Sequence, residues 1–231
     1  MKERILKYYK PSDYRGFFLK RYFRFIGIMI AKVLSKTSIT PNQVSLFRGL
    51  LLIPTTYLFI IGSYVSLVAG GTLLLFLLIL DYADGSLARI KSMKTEIGKW
   101  LSGFDNIMVP LSFFGIGLGL YLANDNPNFL IAAFVANITH KYLSEMVKDY
   151  RNISGDANLV IAGRGIKSKI IGNLFYGDYL VITFIFVMSI FNLLGALLYF
   201  FAIYGTISLI AVFLTFYYRL SKNKRLTRYS K

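Results

Sequence analysis

Three carboxylates stand where an apolar chain has least use for them. Asp81 and Asp84 directly follow the run LLLFLLIL, and Asp105 lies seven residues into the apolar stretch that opens at Gly98. An ionisable group set against hydrocarbon is costly unless partnered, and is a functional-site candidate by default. Solvated carboxylates at a helix end are the competing reading, and placement alone does not separate the two. Spacing does more. Asp81 and Asp84 are i, i+3 and share a helix face. Gly85 and Ala88 leave one side of that face without bulk, so a ligand or a second backbone can approach closely. Arg89 follows. Carboxylates hold a hard cation and arginine grips phosphate oxygens bidentately, so this set suits a metal-bound phosphate.

The elements that must position these residues are membrane helices. The chain has 231 residues, 55% hydrophobic and only 16% charged, with a mean hydropathy of +0.55. Soluble domains carry about 25% charged residues, and disorder requires low hydrophobicity. The absence of cysteine excludes disulfides, zinc–thiolate sites, iron–sulfur clusters and Cys nucleophiles, and a single histidine, His140, excludes a multi-His metal cage. Six apolar stretches suit membrane crossing: 48–62, 66–85, 98–123, 127–148, 171–191 and 194–218. They are continuous rather than alternating, against a β-barrel. The 27 Lys and Arg avoid the connections at 62–65, 123–128 and 191–194 and cluster at 2–48, 89–99, 141–169 and 219–231. By the positive-inside rule both termini are cytoplasmic.

The fold expected is therefore an all-α integral membrane protein, six transmembrane helices preceded by an N-terminal amphipathic interfacial helix. Residues 1–40 form the interfacial segment, 41–220 the membrane domain and 221–231 a basic cytoplasmic tail. In the stretch 16–33, Phe17, Phe18, Phe23, Phe25 and Ile26 are expected to enter the acyl boundary while basic residues face lipid phosphates. The net charge of +16 is explained by this topology, so membrane lipids rather than nucleic acid are the expected partners. Trp100 reads as an interfacial anchor, and Gly70–Gly71 and Gly115, Gly117 and Gly119 as close-packing positions between helices.

Asp81-x-x-Asp84-Gly85-x-x-Ala88-Arg89, then eight residues, then Gly98, resembles the signature of the CDP-alcohol phosphotransferase family, D-x2-D-G-x2-A-R-x8-G-x3-D-x3-D. Six of its eight fixed positions match with the same spacing. Thr40-Pro41-Asn42-Gln43 before the first span resembles the family's usual lead-in. The resemblance implies transfer of a phosphoalcohol or phosphatidyl unit from a CDP-alcohol donor to an acceptor alcohol, with release of CMP. It also implies Mg²⁺ or Mn²⁺, Asp81 and Asp84 as metal ligands, and Gly85, Ala88, Arg89 and Gly98 around the CDP moiety, with Asn42 and Gln43 at its edge. A homodimer is a family expectation.

The third and fourth acidic positions of that signature fall on Ser102 and Asn106. In the family the four carboxylates hold two cations, and the fourth deprotonates the acceptor. Serine is a poor ligand, and asparagine offers a carbonyl oxygen but no base at neutral pH. On a continuous helix, with Gly98 at zero, Ser102 lies at about 40°, Asn106 at about 80° and Asp105 at about −20°. Asp105 then shares a broad face with Gly98 and Ser102 and is the candidate compensating ligand or base. Asp178 is another carboxylate in an apolar run. Lys148, Arg151, Arg164, Lys167 and Lys169 form a basic cluster able to bind an acceptor phosphate, or to satisfy the positive-inside rule. The Gly163-Arg164-Gly165 stretch is too short to be a phosphate loop, and His140 reads as a core or interfacial histidine. A second reading is a family member that binds nucleotide, lipid or a partner without turnover. A transporter is a third, disfavoured because the acidic cluster sits at helix ends rather than the bilayer midplane.

Overall fold

A computed structural model describes residues 18–154 and 177–222. Among the described residues all regular structure is helical: α1 (Phe18–Leu34), α2 (Pro41–Ile61), α3 (Tyr64–Ile90), the short α4 (Glu96–Leu101), a 3₁₀ turn (Ser102–Phe104), α5 (Asp105–Asn124), α6 (Asn128–Ser154), α7 (Asp178–Ile190) and α8 (Leu194–Lys222). Four segments are long and apolar enough to cross a membrane: Pro41–Ile61, Tyr64–Ile90, Glu96–Asn124 and Leu194–Tyr218. Asp178–Ile190 is apolar but shorter, and residues 171–176 of the expected fifth stretch lie outside the described residues. The helix at the expected fourth stretch, α6, is long enough, but its second half carries Lys141, Glu145, Lys148 and Asp149.

Local chemistry sets the helix ends. A capping box opens α2: the Thr40 hydroxyl accepts from the Gln43 N–H, and Gln43 Oε1 accepts from the Thr40 N–H at 2.8 Å. Pro41 occupies the first turn, where its missing N–H is harmless. The helix stops at Gly62, whose φ of 71° is left-handed. Ser63 caps α3. At the far end of α3, Lys91 Nζ donates to the carbonyls of Thr37 and Ile39 at 2.7 and 2.8 Å. The end of the carboxylate-bearing helix is thereby tied to the segment that leads into α2.

One apolar core joins the helices. Phe23 and Ala31 of α1, Leu52 and Phe59 of α2, Leu74 and Leu77 of α3, Phe113 and Ile116 of α5, Ile182 and Ile185 of α7 and Leu198 of α8 all belong to it. Small residues permit the closest approaches. A Cβ on Gly119 would strike the Phe59 carbonyl, and one on Gly115 would lie 3.0 Å from the Thr56 carbonyl, so α5 lies directly on α2. Gly71 of α3 likewise faces Ser189 and Phe186 of α7. Phe114, Ile131, Phe134, Ile203 and Phe213 are among many large apolar side chains left exposed, as a lipid-facing surface requires.

The structure departs from the sequence-based expectation at α1. Phe23 is in the protein core rather than on an outer face, and Arg24 is buried with its guanidinium 4.6 Å above the Tyr82 ring. Phe18, Tyr22, Phe25, Met29 and Val33 form the exposed face; Phe17 lies outside the described residues. Gly27 is the reason α1 can dock. A Cβ there would sit 2.6 Å from Tyr82 Cβ and 3.0 Å from the Ala83 nitrogen. The helix therefore braces α3 between its two carboxylates, which a lipid-facing wheel does not anticipate.

Candidate active site

Asp81 and Asp84 lie together on one side of α3, as their spacing predicts, and both face α2. Their partner there is Arg48, whose side chain is only 1% exposed. Its guanidinium forms an ion pair with Asp81 Oδ1 and stands 3.7 Å from Asp84 Oδ2. Ser45, one turn earlier on α2, donates to Asp84 Oδ2 at 2.7 Å. Asp81 keeps 30% of its side chain exposed and Asp84 12%, so the pair is partnered from behind and open in front. Neither Arg48 nor Ser45 is marked by the sequence: Arg48 reads as the charged flank of a span.

The open front is at Gly85. A Cβ there would meet only Arg89 Nη1, at 3.8 Å. Arg89, one turn on, donates from Nη2 to the Ser86 hydroxyl at 3.0 Å. Ala88 is half-buried. Gly98 lies where a Cβ would be 2.9 Å from Asn42 Oδ1 and 3.2 Å from Thr95 Oγ1. The Asn42 amide and the Thr95 hydroxyl are within hydrogen-bond distance, and that hydroxyl also accepts from the Gly98 N–H at 3.0 Å, capping α4. Asn42 and Gly98, 56 positions apart, thus meet at one rim. Gln43 is exposed and engaged in the α2 cap.

Gly98, Ser102 and Asn106 do not lie on a single helix. Gly98 belongs to α4, Ser102 opens the 3₁₀ turn, and Asn106 is the second residue of α5. The angular offsets of a continuous helix therefore do not carry from Gly98 to Asp105. The break has local causes: Gly103, with nothing within 4 Å of its Cβ position, is a weak helix former, and the Ser102 hydroxyl donates to the Lys99 carbonyl at 2.6 Å. Ser102 and Asn106 are exposed. Asp105 begins α5, and its side chain lies outside the described residues.

A cavity of about 220 Å³ opens beside Asp81. Asp81, Tyr82 and Met108 line one part of it, Asp178 and Tyr179 another, and Lys20 of α1 a third. Asp178 thus shares a cavity with a signature carboxylate nearly a hundred positions away. Its Oδ1 is 3.0 Å from His140 Nε2 of α6, a partner that the core or interfacial reading of His140 does not anticipate. Among the described acceptor candidates, Lys148 does not line this cavity. Lys148 pairs with Glu145 of its own helix at 3.0 Å. The Arg151 side chain, and Arg164, Lys167 and Lys169 altogether, lie outside the described residues.

The donor set is hard oxygen throughout: two carboxylates at i, i+3, an adjacent hydroxyl, and an open face. That chemistry fits a hard divalent cation such as Mg²⁺ or Mn²⁺ rather than a softer metal. Among the described residues no group of three or more His, Asp or Glu converges on one point.

The model of the CDP-alcohol phosphatidyltransferase family matches residues 38–217. Similar solved structures include phosphatidylinositol phosphate synthase of Mycobacterium tuberculosis with CDP-DAG bound, at 20% identity, covering 83% of this chain and 93% of that one, with a TM-score of 0.57. The same enzyme in complex with manganese and citrate matches at 20% identity over 83% and 88% of the two chains, TM-score 0.55. Its apo form matches at 21% over 81% and 94%, TM-score 0.53. No curated protein matches the chain in sequence.

Proposed function

The chain belongs to the CDP-alcohol phosphatidyltransferase family, and from that premise we propose where and how this member works. It is a membrane transferase that moves a substituted phosphate group from a CDP-alcohol to an acceptor alcohol in lipid synthesis. In our reading the transfer takes place on the open side of Asp81 and Asp84. The acceptor oxygen attacks the β-phosphorus and CMP leaves with the electron pair of the broken P–O bond. The carrying observation is that Asp81 and Asp84 share one face of α3 beside a Gly85 that nothing crowds.

Gly85 and Ala88 let the donor's diphosphate approach the α3 backbone, Arg89 supplies a guanidinium for its oxygens, and Asn42 and Gly98 form the cytidine-side rim, with Gln43 nearby. Asp81 and Asp84, with Asp105 as compensating third ligand or base, would hold Mg²⁺ or Mn²⁺, which when bound neutralises the pyrophosphate. Ser102 and Asn106, neutral where the family has carboxylates, flank this position. Lys148, Arg151, Arg164, Lys167 and Asp178 belong to the acceptor side. The donor in this reading is lipidic, as the CDP-DAG complex of the mycobacterial relative suggests. Six spans, an interfacial α1, cytoplasmic termini and active site, and a homodimer complete the proposal; the Lys and Arg distribution supports the orientation.

The test is CMP release from CDP-diacylglycerol and shorter CDP-alcohols by the purified protein in proteoliposomes with Mg²⁺ or Mn²⁺. The parent releases CMP, and Asp81→Asn and Asp105→Asn abolish it. Ser102→Asp with Asn106→Asp increases turnover. One observation favours a second reading, binding without turnover: the Arg48 guanidinium already neutralises the signature carboxylates. A folded parent that binds CDP-diacylglycerol yet releases no CMP would establish it.

A further inference from the structure

The proposed reaction reads Asp105 as a metal ligand or a base, so one of the two jobs falls to another group. An acceptor hydroxyl must lose its proton as it attacks phosphorus, and the side chain at the family's base position is the amide of Asn106. The cavity beside Asp81 holds a candidate. Asp178, the first residue of α7, is 52% exposed and lines this cavity together with Asp81. One of its oxygens, Oδ1, is engaged by His140 Nε2 at 3.0 Å. The residue as a whole borders the cavity.

His140 is built to hold that carboxylate. Its side chain is only 10% exposed. Its ring meets Phe113 of α5 edge-on, with centroids 6.4 Å apart. An N–H on Nε2 would fix the orientation of the carboxylate, as a third group orients a base in a catalytic pair.

We propose that Asp178 is the general base of the transfer and that His140 is its positioning residue. The acceptor O–H bond breaks and the proton passes to the carboxylate of Asp178. The acceptor oxygen forms its bond to the β-phosphorus, and the bond from that phosphorus to the CMP oxygen breaks, its electron pair leaving with CMP. Lys20 of α1 lines the same cavity. This assignment rests on the transferase reading above and moves the base role from the neighbourhood of Asn106 to α7, leaving Asp105 to the metal.

The experiment measures steady-state CMP release from CDP-diacylglycerol, with glycerol 3-phosphate, inositol phosphate, serine or water alone as acceptor, alongside equilibrium binding of labelled CDP-diacylglycerol. Asp178→Asn should lower kcat by about 10²–10⁴-fold, the range for loss of a general base, with donor affinity within threefold of the parent. Adding Asn106→Asp to Asp178→Asn should recover turnover. His140→Phe should lower kcat, whereas His140→Gln, which keeps an N–H donor, should retain most of it. An Asp178→Asn variant with parental kcat, or one that changes only the acceptor KM, overturns the assignment. So does a loss of kcat in Asp105→Asn unmatched in Asp178→Asn. If Asp178→Asn fails to bind donor, the His140 pair decides: equal kcat in His140→Phe and His140→Gln overturns it. A parent that releases no CMP with any acceptor, water included, removes the transferase reading and this one with it; a parent that turns over normally without Asp178 removes only this one.

Discussion

Arg48 of α2 and Asp81 of α3, 33 positions apart, form an ion pair in which the arginine is almost wholly buried. The same guanidinium lies near Asp84, so one cation from a neighbouring helix serves both signature carboxylates. Breaking a buried pair leaves an uncompensated charge. Arg48→Met should therefore lower stability by about 3 kcal/mol, the low end of the range for such losses because Asp81 is partly exposed. Thermal unfolding in detergent checks this. Arg48→Lys should recover only part of the loss, since an ammonium is not a fork.

Gly85 and Gly98 carry the same residue for opposite reasons. A methyl group at Gly85 meets nothing nearer than 3.8 Å, whereas one at Gly98 lies 2.9 Å from Asn42 Oδ1. Gly85→Ala should raise apparent stability by about 0.5–1 kcal/mol, the usual gain for replacing a mid-helix glycine, while sharply reducing CMP release. Gly98→Ala should lower both. Parental CMP release by Gly85→Ala would mean that the diphosphate does not lie against this face.

The docking of α1 on α3 depends on Gly27. Gly27→Val would drive its side chain into Tyr82 Cβ and the Ala83 backbone. Overpacking of this kind costs about 1–3 kcal/mol, and it should fall on the site as well as on stability. The measurable outcome is a lower unfolding temperature together with weaker labelled-donor binding, although residue 27 touches no part of the proposed donor path.

Metal binding can be followed without turnover. A cation held by the folded state alone at a hundredfold excess over its Kd adds about 2.7 kcal/mol. Mn²⁺ should raise the unfolding temperature of the parent, EDTA should reverse the rise, and Asp81→Asn should abolish it. An equal rise in Asp81→Asn would place the ion elsewhere.

The carboxylates were legible in the sequence because hydrocarbon makes them conspicuous: Asp81 and Asp84 announce themselves against eight apolar residues, and their spacing puts them on one face. The glycines of α5 were legible for a related reason, since small residues are how membrane helices approach one another. What remained hidden were pairings between distant positions. Arg48 looks like any basic residue flanking a span, and nothing in its neighbours says that it turns inward to α3. Asp178 stands out as a carboxylate in an apolar run, but His140 looks ordinary, and only the packing of α6 near α7 makes them a pair. The helical wheel from Gly98 misled because it assumed one helix where Gly103 and the back-bonded Ser102 hydroxyl mark a break. The expectation that basic residues of 16–33 face lipid phosphates rests on charge usually facing outward, but the Arg24 guanidinium lies over Tyr82 instead.

Two kinds of support hold the segment around Asp81. Gly27 brings α1 against its back at Tyr82 and Ala83, and Arg48 grips it from α2. In the proposed reaction the donor end of the site is thus a fixed anvil, while the opposite wall of the cavity is borne by a different helix, α7. Such a division lets the same nucleotide-handling half be paired with new alcohols by altering α7 alone. A lineage could change what it esterifies without disturbing how it holds its activated phosphate.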